Sequence, residues 1–433
     1  MSRFLFATIG SLGDLHPYIA VAQAVIARGH EAVVVCAEEY REVIRNAGVE
    51  FAPARPRLAE FGDYREAVAR IFDVRRGPER LIREMIMPGL RAAYEDHLRA
   101  SHGADLLVSH PLTLTLQLVA QRQSLPWAAT VLAPMSFMST FDPPLLAAVP
   151  WLRSLRRFGP AVYGTVFGLL KRVVWSWERP LRKFRTELGL PPLQQLAMFE
   201  GQFSPLLNLA LFDEQLAQPQ PDWPQKTFIC GSPVFEGAIQ DEALLRDVGR
   251  FLAEGEAPIV FALGSSAVWV AGGFWEHAVA AALELGRRAV LVTGPSTPKH
   301  LPDGVKAFSY VPYSKVFPHA AVVAHQAGIG TLSQALRAGR PQLLLPLAFD
   351  QPDNARRAQA LGLGRCIRFA KASPQRLASE LRLLLSRPCY AERAAGIAVE
   401  LSKTDGAACA ADRLIECLGE VRRSFQWNGS GSH

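Results

Sequence analysis

Residues 325–331, His-Gln-Ala-Gly-Ile-Gly-Thr, carry the strongest structural signal in this chain. They form a turn of small residues between an apolar run at 321–324, which we predict to be a strand, and a helical pattern at 332–338. Such a turn lets several backbone N–H groups face one anion, and the N-terminus of the helix adds positive potential. The pattern therefore predicts a phosphate site where a parallel strand turns into a helix.

A polar cluster follows the next predicted strand, which spans 342–346. Asp350 and Gln351 come first, and Asn354 lies one helical turn later. A carboxylate accepts hydrogen bonds from hydroxyl groups, and an amide both donates and accepts them. A diphosphate site beside such groups indicates a nucleotide sugar as ligand.

The rest of the chain supports an α/β fold. At 433 residues, with 49% hydrophobic and 20% charged residues, it is long enough for two globular domains. Apolar runs alternate with helical patterns, which favours parallel sheets covered on both faces. Predicted strands lie at 4–9, 31–36, 106–109, 128–132 and 206–211 in the first half, and at 258–263, 289–293, 305–311, 321–324 and 342–346 in the second.

The domain boundary is predicted from a proline-rich stretch, Gln-Pro-Gln-Pro-Asp-Trp-Pro at 218–224, which has no periodicity. Ligands of parallel sheets bind at the carboxyl ends of the strands, so two such domains can face one cleft. The predicted division is a first domain at 1–217, a linker at 218–240, a second domain at 241–390, helices at 391–427 that pack back on the first domain, and an added Gly/Ser-rich tail at 428–433.

Bulk properties point to a cytoplasmic protein. The apolar run after Met1 is too short for a signal peptide, and no run of about 20 apolar residues predicts a membrane-spanning helix. The six cysteines form no C-x-x-C pair, so we expect reduced thiols.

One segment departs from the even distribution of charge. Residues 151–185 carry nine Lys or Arg against a single acid, Glu178, and aromatic residues interleave with them. This composition suits either a solvated helix face or transient contact with the surface of an anionic membrane such as the inner membrane, whereas no nucleic-acid-binding motif accompanies it. A solvated face is the simpler interpretation.

In the first half, Gly-Ser-Leu-Gly-Asp at 10–14 follows the first predicted strand and precedes a predicted helix at 17–28. Gly13 allows a close approach of ligand, and Asp14 stands at the carboxyl end of the strand, where it is a candidate catalytic base or a helix cap. His16 and His110, which follows another predicted strand, are candidate acceptor-site residues or structural histidines.

In the second half, further polar or small residues follow predicted strands. Gly264 and Ser265 can contact a phosphate or a ribose, and Tyr310 with Val311 can place an aromatic edge and a backbone amide against a base. An ordinary turn and a strand end are the alternatives. The chain has no Asp-x-Asp triplet, zinc spacing, G-x-S-x-G elbow or P-loop, so we expect no metal.

These motifs together resemble glycosyltransferase family 1, and the resemblance spans nearly the whole chain. Bacterial rhamnolipid rhamnosyltransferases and the antibiotic and sterol glycosyltransferases are the most similar branches. The motifs occur in the family's order: Gly10-Ser-x-Gly-Asp-x-x-Pro17, Gly264-Ser265, Tyr310-Val-Pro, the Gly328/Gly330/Thr331 turn, Gly339-x-Pro341 and Asp350-Gln351.

The resemblance implies a GT-B fold, in which two Rossmann-like doubly wound domains face a central cleft. It implies an inverting, metal-independent hexosyltransferase that uses a UDP- or dTDP-sugar and no cofactor. Asp14 stands at the position of the family's general base. The resemblance assigns the diphosphate to Gly328, Gly330 and Thr331, and the sugar to Asp350 and Gln351.

The chain departs from the family pattern at two positions, Gln326 and Gln334. Gln326 stands where the family's phosphate-binding histidine is usual, and His325 matches the first member of a histidine pair found in bacterial members. Both remain candidate phosphate ligands. Gln334 replaces the glutamate that holds the ribose hydroxyls in plant members, and a weaker ribose contact suits a dTDP-sugar without excluding a UDP-sugar.

The acceptor side is predicted from the apolar and basic region 135–185, where Phe137 and Phe141 are candidate contacts. Its character indicates a hydrophobic small molecule, such as a lipid, sterol, polyketide or phenolic compound. Two alternatives remain at this point: a nucleotide-sugar epimerase of GT-B type, and a peripheral membrane-binding protein with a degenerate site.

Overall fold

The computed structural model describes residues 1–237 and 241–429, with only the backbone described at 425–429. The chain forms two parallel β-sheets, and both have helices packed on their faces. The strands of the first sheet are β1 (Arg3–Ala7), β2 (Glu31–Cys36), β3 (Glu50–Pro53), β4 (Leu106–Ser109), β5 (Trp127–Val131), β6 (Asn208–Ala210) and β7 (Thr227–Ile229). Those of the second are β8 (Ile259–Ala262), β9 (Ala289–Val292), β10 (Val305–Phe308), β11 (Val322–His325), β12 (Gln342–Leu344) and β13 (Gly364–Cys366).

Helices connect these strands. The first half contains α1 (Leu12–Ile26), α2 (Arg41–Asn46), α3 (Tyr64–Ile71), α4 (Gly77–Arg80), α5 (Leu90–Ala100), α6 (Leu114–Gln123), α7 (Pro160–Trp177) and α8 (Arg179–Glu187). The second half contains α9 (Glu242–Ala253), α10 (Gly264–Ala267), α11 (Phe274–Glu284), α12 (Tyr313–Val316), α13 (Ile329–Arg337), α14 (Gln351–Ala360), α15 (Pro374–Ser386), α16 (Pro388–Leu401) and α17 (Gly406–Gly429).

Short 3₁₀ segments and one π-helical turn complete the backbone. The 3₁₀ segments are Glu38–Tyr40, Leu58–Phe61, Pro134–Phe137, Pro150–Phe158, Glu200–Gln202, Val268–Val270, Phe317–His319 and Phe369–Lys371, and the π-helical turn is Leu81–Ile86.

The core of each domain follows from its strand sequences. The central strands are continuous apolar runs, and strands of this kind are buried on both faces in parallel sheets. On one face of the first sheet, Phe4 and Phe6 pack with Leu15 of α1 and Leu414 of α17. On one face of the second, Phe261 packs with helices that include α11 and α15. Each sheet therefore has its own core, as two domains require.

The strand order places a switch point in each sheet. The first sheet runs β3-β2-β1-β4-β5-β6-β7, and the second runs β10-β9-β8-β11-β12-β13. Connections leave β1 and β4 in opposite directions, and likewise β8 and β11. The crevice outside the carboxyl ends of such strands is where doubly wound sheets bind ligands. The fold thus marks two positions, after β1 and β4 and after β8 and β11.

The last helices link the two domains. α16 packs on α13 of the second domain, whereas α17 packs on α1 of the first. Arg28 at the end of α1 forms an ion pair with Asp412 of α17, Nε to Oδ1 2.5 Å. The C-terminal segment therefore returns to the first domain after Leu401. Residues 428 and 429 of the predicted tail lie within α17, and 430–433 lie outside the described residues.

Two predicted boundaries need correction. Strand β7 lies inside 218–240, the segment predicted as linker, and pairs with β6 through Asn208 and Thr227. A three-residue strand after a proline-rich stretch gives no periodic signal. Helix α1 begins at Leu12, five residues before the predicted start at Pro17, because Ser11 caps it and Asp14 closes a capping box.

None of the described helices is long and apolar enough to cross a membrane.

Candidate active site

Asp14 lies in the first turn of α1, at the switch point of the first sheet. Its Oδ2 accepts a hydrogen bond from the backbone N–H of Ser11 at 2.8 Å, which completes the capping box. The side chain is 36% exposed. One carboxylate oxygen of Asp14 therefore caps the helix, and the other, Oδ1, takes no part in the cap.

His110 follows β4, the neighbour of β1, and faces this second oxygen. Its Nε2 lies 3.5 Å from Oδ1 of Asp14. Its Nδ1 accepts from the N–H of Leu112 at 3.1 Å, so the ring proton of neutral His110 lies on Nε2 and points at Asp14. The distance exceeds that of a strong hydrogen bond, and contacts of this kind tighten when substrate binds. The structure thus brings together two residues that the sequence separates by almost a hundred positions.

Gly10 shows why the turn before Asp14 requires glycine. Its φ of 131° lies in a region that side-chain-bearing residues rarely adopt. A Cβ at this position would lie 2.2 Å from Oδ2 of Asp14. The backbone turn and the position of the carboxylate therefore depend on each other.

At the switch point of the second sheet, the turn after β11 contains no charged side chain. Gly328 is the N-cap residue of α13, so Gly330 and Thr331 lie in the first helical turn, where backbone N–H groups lack intrahelical partners. Ala327 adopts φ 65°, a strained value for a residue with a Cβ. The turn thus presents the helix N-terminus at the predicted phosphate site.

Gln326 lies between this turn and Gly264, which follows β8. Its Nε2 donates to Oγ1 of Thr331 at 3.1 Å, and Cβ atoms added to Gly264 or Gly328 would approach Nε2 to 2.2 or 2.9 Å. Oε1 of Gln326 is buried and has no hydrogen-bond partner among the described residues. Rotating the amide by half a turn would let Oε1 accept from the Thr331 hydroxyl and free Nε2 to donate to an anion.

His325 corrects the sequence prediction, which made it a candidate phosphate ligand. It is the last residue of β11 and has no exposed surface. Its Nδ1 accepts from the N–H of Ala327 at 3.2 Å, and its Nε2 lies 3.0 Å from Oε1 of Gln342. Burial lowers the pKa of His325 to about 4. A neutral imidazole with both nitrogens occupied holds the turn in shape and cannot also contact a phosphate.

The two switch points meet across the cleft. A Cβ on Gly330 would lie 3.9 Å from Cα of Gly13, so the starts of α13 and α1 are close together. Asp350, the N-cap residue of α14, lies on the same side, and Nδ2 of Asn354 donates to its Oδ2 at 2.6 Å and to the carbonyl of Ala327 at 3.0 Å. Asn354 therefore connects Asp350, the predicted sugar-binding carboxylate, to the turn after β11 by hydrogen bonds, a role that the sequence analysis did not assign to it.

Burial raises the pKa of Asp350 to about 6, and the charge of Asp14 adds to the rise, whereas the hydrogen bond from Asn354 opposes it. Oε1 of its neighbour Gln351 accepts from the N–H groups of Leu347 and Ala348 at 2.9 and 3.3 Å. Only the amide donor of Gln351 is thus available for a sugar hydroxyl.

The remaining predicted nucleotide residues differ in accessibility. Tyr310 is 42% exposed, whereas the side chain of Val311 is buried, so Val311 offers only its backbone. Ser265 lies in α10 beside Gly264 and Gln334 in α13, and both are half-buried.

Two of the predicted acceptor residues lie elsewhere. Phe137 is in the core of the first domain, stacked on Trp223 with ring centroids 3.9 Å apart. His16 packs edge-on against Phe235, and burial lowers its pKa to about 4. Residues two apart on a helix point in different directions, so His16 does not share a face with Asp14. Phe141, in contrast, is 50% exposed.

Two aromatic pairs that the sequence did not predict connect the domains beside the cleft. Tyr64 of α3 meets Trp269 edge to face at 5.0 Å, and Phe72 meets Phe349, the residue before Asp350, at 5.3 Å. The Nε of Arg65 donates to the carbonyl of Trp269 at 3.2 Å. Each pair joins residues about 200 or more positions apart, which no local pattern reveals.

Comparison with known proteins agrees with this geometry. Residues 4–90 match the glycosyltransferase family 28 N-terminal domain, and residues 289–416 match the C-terminal domain of erythromycin biosynthesis protein CIII-like proteins. O-mycaminosyltylonolide 6-deoxyallosyltransferase of Streptomyces fradiae is 31% identical over 423 residues, which is 96% of this chain and 95% of that protein.

Solved structures share the fold. Glycosyltransferase VinC in complex with dTDP superposes with a TM-score of 0.69 at 18% identity, covering 96% of this chain and 100% of that one. Glycosyltransferase SsfS6 of Streptomyces sp. SF2575, complexed with thymidine diphosphate, superposes with a TM-score of 0.63 at 21% identity, covering 96% of this chain and 99% of that one. The chain therefore belongs to the family 1-like GT-B glycosyltransferases of antibiotic and natural-product type.

Proposed function

We propose that the protein transfers a hexose from a dTDP-sugar to a hydroxyl group of a hydrophobic small molecule, with inversion at the anomeric carbon. Asp14 takes the proton of the acceptor hydroxyl while the oxygen of that hydroxyl forms a bond to the anomeric carbon. The bond from that carbon to the β-phosphate oxygen breaks, and dTDP leaves with the electron pair. A single displacement of this kind inverts the configuration.

The observation that carries this proposal is the free oxygen of Asp14 opposite the uncharged turn of the second domain. Oδ2 caps α1, while Oδ1 faces His110 and the cleft. A base must reach the proton it removes within hydrogen-bond distance, which requires a carboxylate that is held but accessible. His110 orients this carboxylate by presenting its Nε2–H.

The leaving diphosphate bears the charge that develops in the transition state. The donors that we assign to that charge are the N–H groups at the start of α13, the hydroxyl of Thr331 and, once its amide has rotated away from Thr331, Nε2 of Gln326. Fixed donors at a helix N-terminus stabilise such charge without reorganising, which is why we propose a metal-independent reaction. Asp350 and the amide of Gln351 then hold the sugar hydroxyls.

Two observations favour dTDP over UDP as the nucleotide. VinC and SsfS6 are both described in complex with thymidine diphosphate. Gln334, which is half-buried in α13, has no charge with which to bind a pair of ribose hydroxyls, so we expect a donor that lacks the 2′-hydroxyl to lose little affinity.

The acceptor side supports a hydrophobic substrate. Tyr64, Phe72, Trp269 and Phe349 place aromatic surface from both domains beside the site. An open cavity of about 450 Å³ lies beside them, and its lining combines Phe72, Val270 and Leu347 with the charged residues Arg70, Asp73 and Arg80. The aromatic and aliphatic side chains can contact rings and alkyl groups of an acceptor, while the charged side chains can bind its polar groups.

Isothermal titration with dTDP and with UDP, in buffer containing a chelator, tests the donor site. We expect both to bind, dTDP more tightly, with no gain on adding Mg²⁺. Folded protein that binds neither nucleotide would contradict the proposal, and binding that depends on Mg²⁺ would contradict metal independence. Mass-spectrometric screening of phenolic, polyketide, sterol and lipid alcohols with the preferred donor then identifies the acceptor.

A further inference from the structure

The first domain carries an exposed surface that the reaction does not use. It is formed by the 3₁₀ segment Pro150–Phe158, α7 and the start of α8, and we name it the apolar–basic face. Its exposed apolar members are Trp151, Phe158, Val162, Leu169, Val173 and Trp175. Its exposed cations are Arg156, Arg157, Arg172, Arg179 and Lys183.

Helix α7 is apolar over a wide arc of its surface, part of which is buried and part exposed. Tyr163 and Phe167 point inward and are buried in a small cluster. Val162, Leu169 and Val173 are 43%, 54% and 58% exposed, and their spacing of seven and four residues places them on one outward stripe. A surface helix ordinarily presents polar residues to solvent, so an apolar outward stripe marks a contact surface.

The charge around this stripe has one sign. Glu178, the only acid between 151 and 185, has no exposed surface and accepts the N–H groups of Ala197 and Met198 at 3.0 and 2.9 Å. Lys171 pairs with Glu200. Within the described part of the chain, the five exposed cations of the apolar–basic face have no ion-pair partner.

Two aromatic rings of the apolar–basic face lie against arginine side chains. The guanidinium of Arg182 stands 4.2 Å from the ring centre of Trp175, and that of Arg157 stands 4.8 Å from the ring centre of Phe158. Tryptophan is enriched at the boundary between water and lipid headgroups, because one end of its ring system is apolar and the other donates a hydrogen bond.

We propose that the apolar–basic face docks the protein on an anionic lipid surface, with α7 lying in the plane of the interface. Val162, Leu169 and Val173 then enter the boundary of the acyl chains, while the exposed cations contact lipid phosphates. This inference is independent of the sugar transfer proposed above, because it rests on residues outside the site.

The charge pattern favours lipid over a second copy of the chain. A twofold dimer contact would place the same five cations against their own copies, since such an interface pairs one patch with itself. Nucleic acid would match the cations but leave the apolar stripe in water. An anionic membrane satisfies both features at once.

The position of the face also suits delivery of a lipid-soluble acceptor. Nε of Arg153 donates to the carbonyl of Pro143 at 2.9 Å, which fastens the 3₁₀ segment to the loop 139–145. In that loop, Asp142 pairs with Arg357 of α14 at 2.5 Å, and the N–H of Leu145 donates to Asp353. The face therefore adjoins the loop that borders the cleft.

Co-sedimentation with vesicles tests the proposal. We expect the wild-type chain to bind vesicles that contain phosphatidylglycerol far more strongly than vesicles of phosphatidylcholine alone, and to be released by salt. The double variant Leu169→Glu/Val173→Glu is expected to lower the partition coefficient at least about tenfold, because two carboxylates would have to enter the acyl boundary. The double variant Arg156→Gln/Arg157→Gln is expected to lower the partition coefficient as well, because it removes two positive charges and leaves the apolar stripe unchanged.

Leu283→Glu, at a residue 52% exposed on α11, is the matched control and is expected to bind as the wild type does. Melting temperature and dTDP affinity, measured for every variant, show that the fold and donor site are intact. Absence of binding to anionic vesicles overturns the proposal, as does binding that Leu169→Glu/Val173→Glu leaves unchanged. A wild-type dimer that this variant converts to monomer in light scattering would show that a second copy covers the face, which also overturns it.

Discussion

The two switch points of this molecule have the same topology and opposite chemistry. After β1 and β4 the chain places a carboxylate and an imidazole, Asp14 and His110, 3.5 Å apart. After β8 and β11 it places glycine, amide and hydroxyl, with Gly264 and Gln326 packed together beside Thr331. The first arrangement can accept a proton, and the second can bind an anion without any transfer of a proton. A doubly wound sheet thus fixes where a site lies, while the residues after its strands decide what the site does.

The largest effect is expected from removing the base. Asp14→Asn keeps the shape and the hydrogen bond from Ser11 but cannot take a proton, so kcat should fall by about 10²–10⁴-fold. Affinity for dTDP should stay within about twofold, because the diphosphate donors lie on the other domain. Steady-state kinetics and titration calorimetry measure the two quantities. The helix-capping Asp241, changed to Asn, is the control. Normal turnover in Asp14→Asn would remove Asp14 as the base.

The adjacent residues Gln326 and His325 sharpen the contrast within the second switch point. Gln326→Leu removes the amide that we propose donates to the diphosphate, so dTDP should bind about 10–100-fold more weakly. His325→Leu leaves Ala327 N–H and Gln342 without partners, so it should lower the melting temperature while folded protein keeps its dTDP affinity. The reverse result, weak binding only in His325→Leu, would restore His325 as the phosphate ligand.

A smaller loss is expected at His110, which positions Asp14. His110→Phe keeps the ring but removes Nε2–H, so kcat should fall about tenfold with little change in the KM for the donor. His110→Gln can present an amide donor and should recover part of the rate. A purely structural role predicts instead that both variants lose stability and that the glutamine recovers nothing.

The smallest effect is a pH dependence. Since the pKa of Asp350 is raised to about 6, its carboxylate is ionised at pH 7 and takes up a proton as the pH falls through 6. A protonated carboxyl is a weaker acceptor of hydrogen bonds from sugar hydroxyls. Affinity for the dTDP-sugar should therefore fall about fivefold between pH 7 and 5, whereas affinity for dTDP alone should change little. Asp350→Asn should abolish the difference. If the affinities for the dTDP-sugar and for dTDP changed equally with pH, Asp350 would not hold the sugar.

The sequence was sufficient for the fold and for the positions just after strands. Asp14, Gly264, Gly328 and Asp350 are predicted site residues because small or polar residues follow apolar runs, and parallel sheets bring such positions together. Pattern alone could not separate the last residue of a strand from the first of a turn. That one-residue ambiguity decides whether His325 is buried or faces a ligand.

Other features lay beyond local patterns. Strand β7 has three residues and forms only because β6 offers an open edge. Phe137 looked like an acceptor contact by composition, yet Trp223 and Phe212 enclose it. The pairing of Tyr64 with Trp269 and the link from Asn354 to Asp350 depend on how distant segments pack, which a single sequence does not reveal.

The central claim is that one switch point handles the proton and the other holds the diphosphate. A crystal structure of the protein with dTDP tests it most directly. The account predicts the diphosphate at the start of α13, within hydrogen-bond distance of the Gln326 amide and the N–H groups of Gly330 and Thr331, with Asp14 free on the opposite side. A diphosphate bound by His325, or seated in the first domain beside Asp14 and His110, would contradict it.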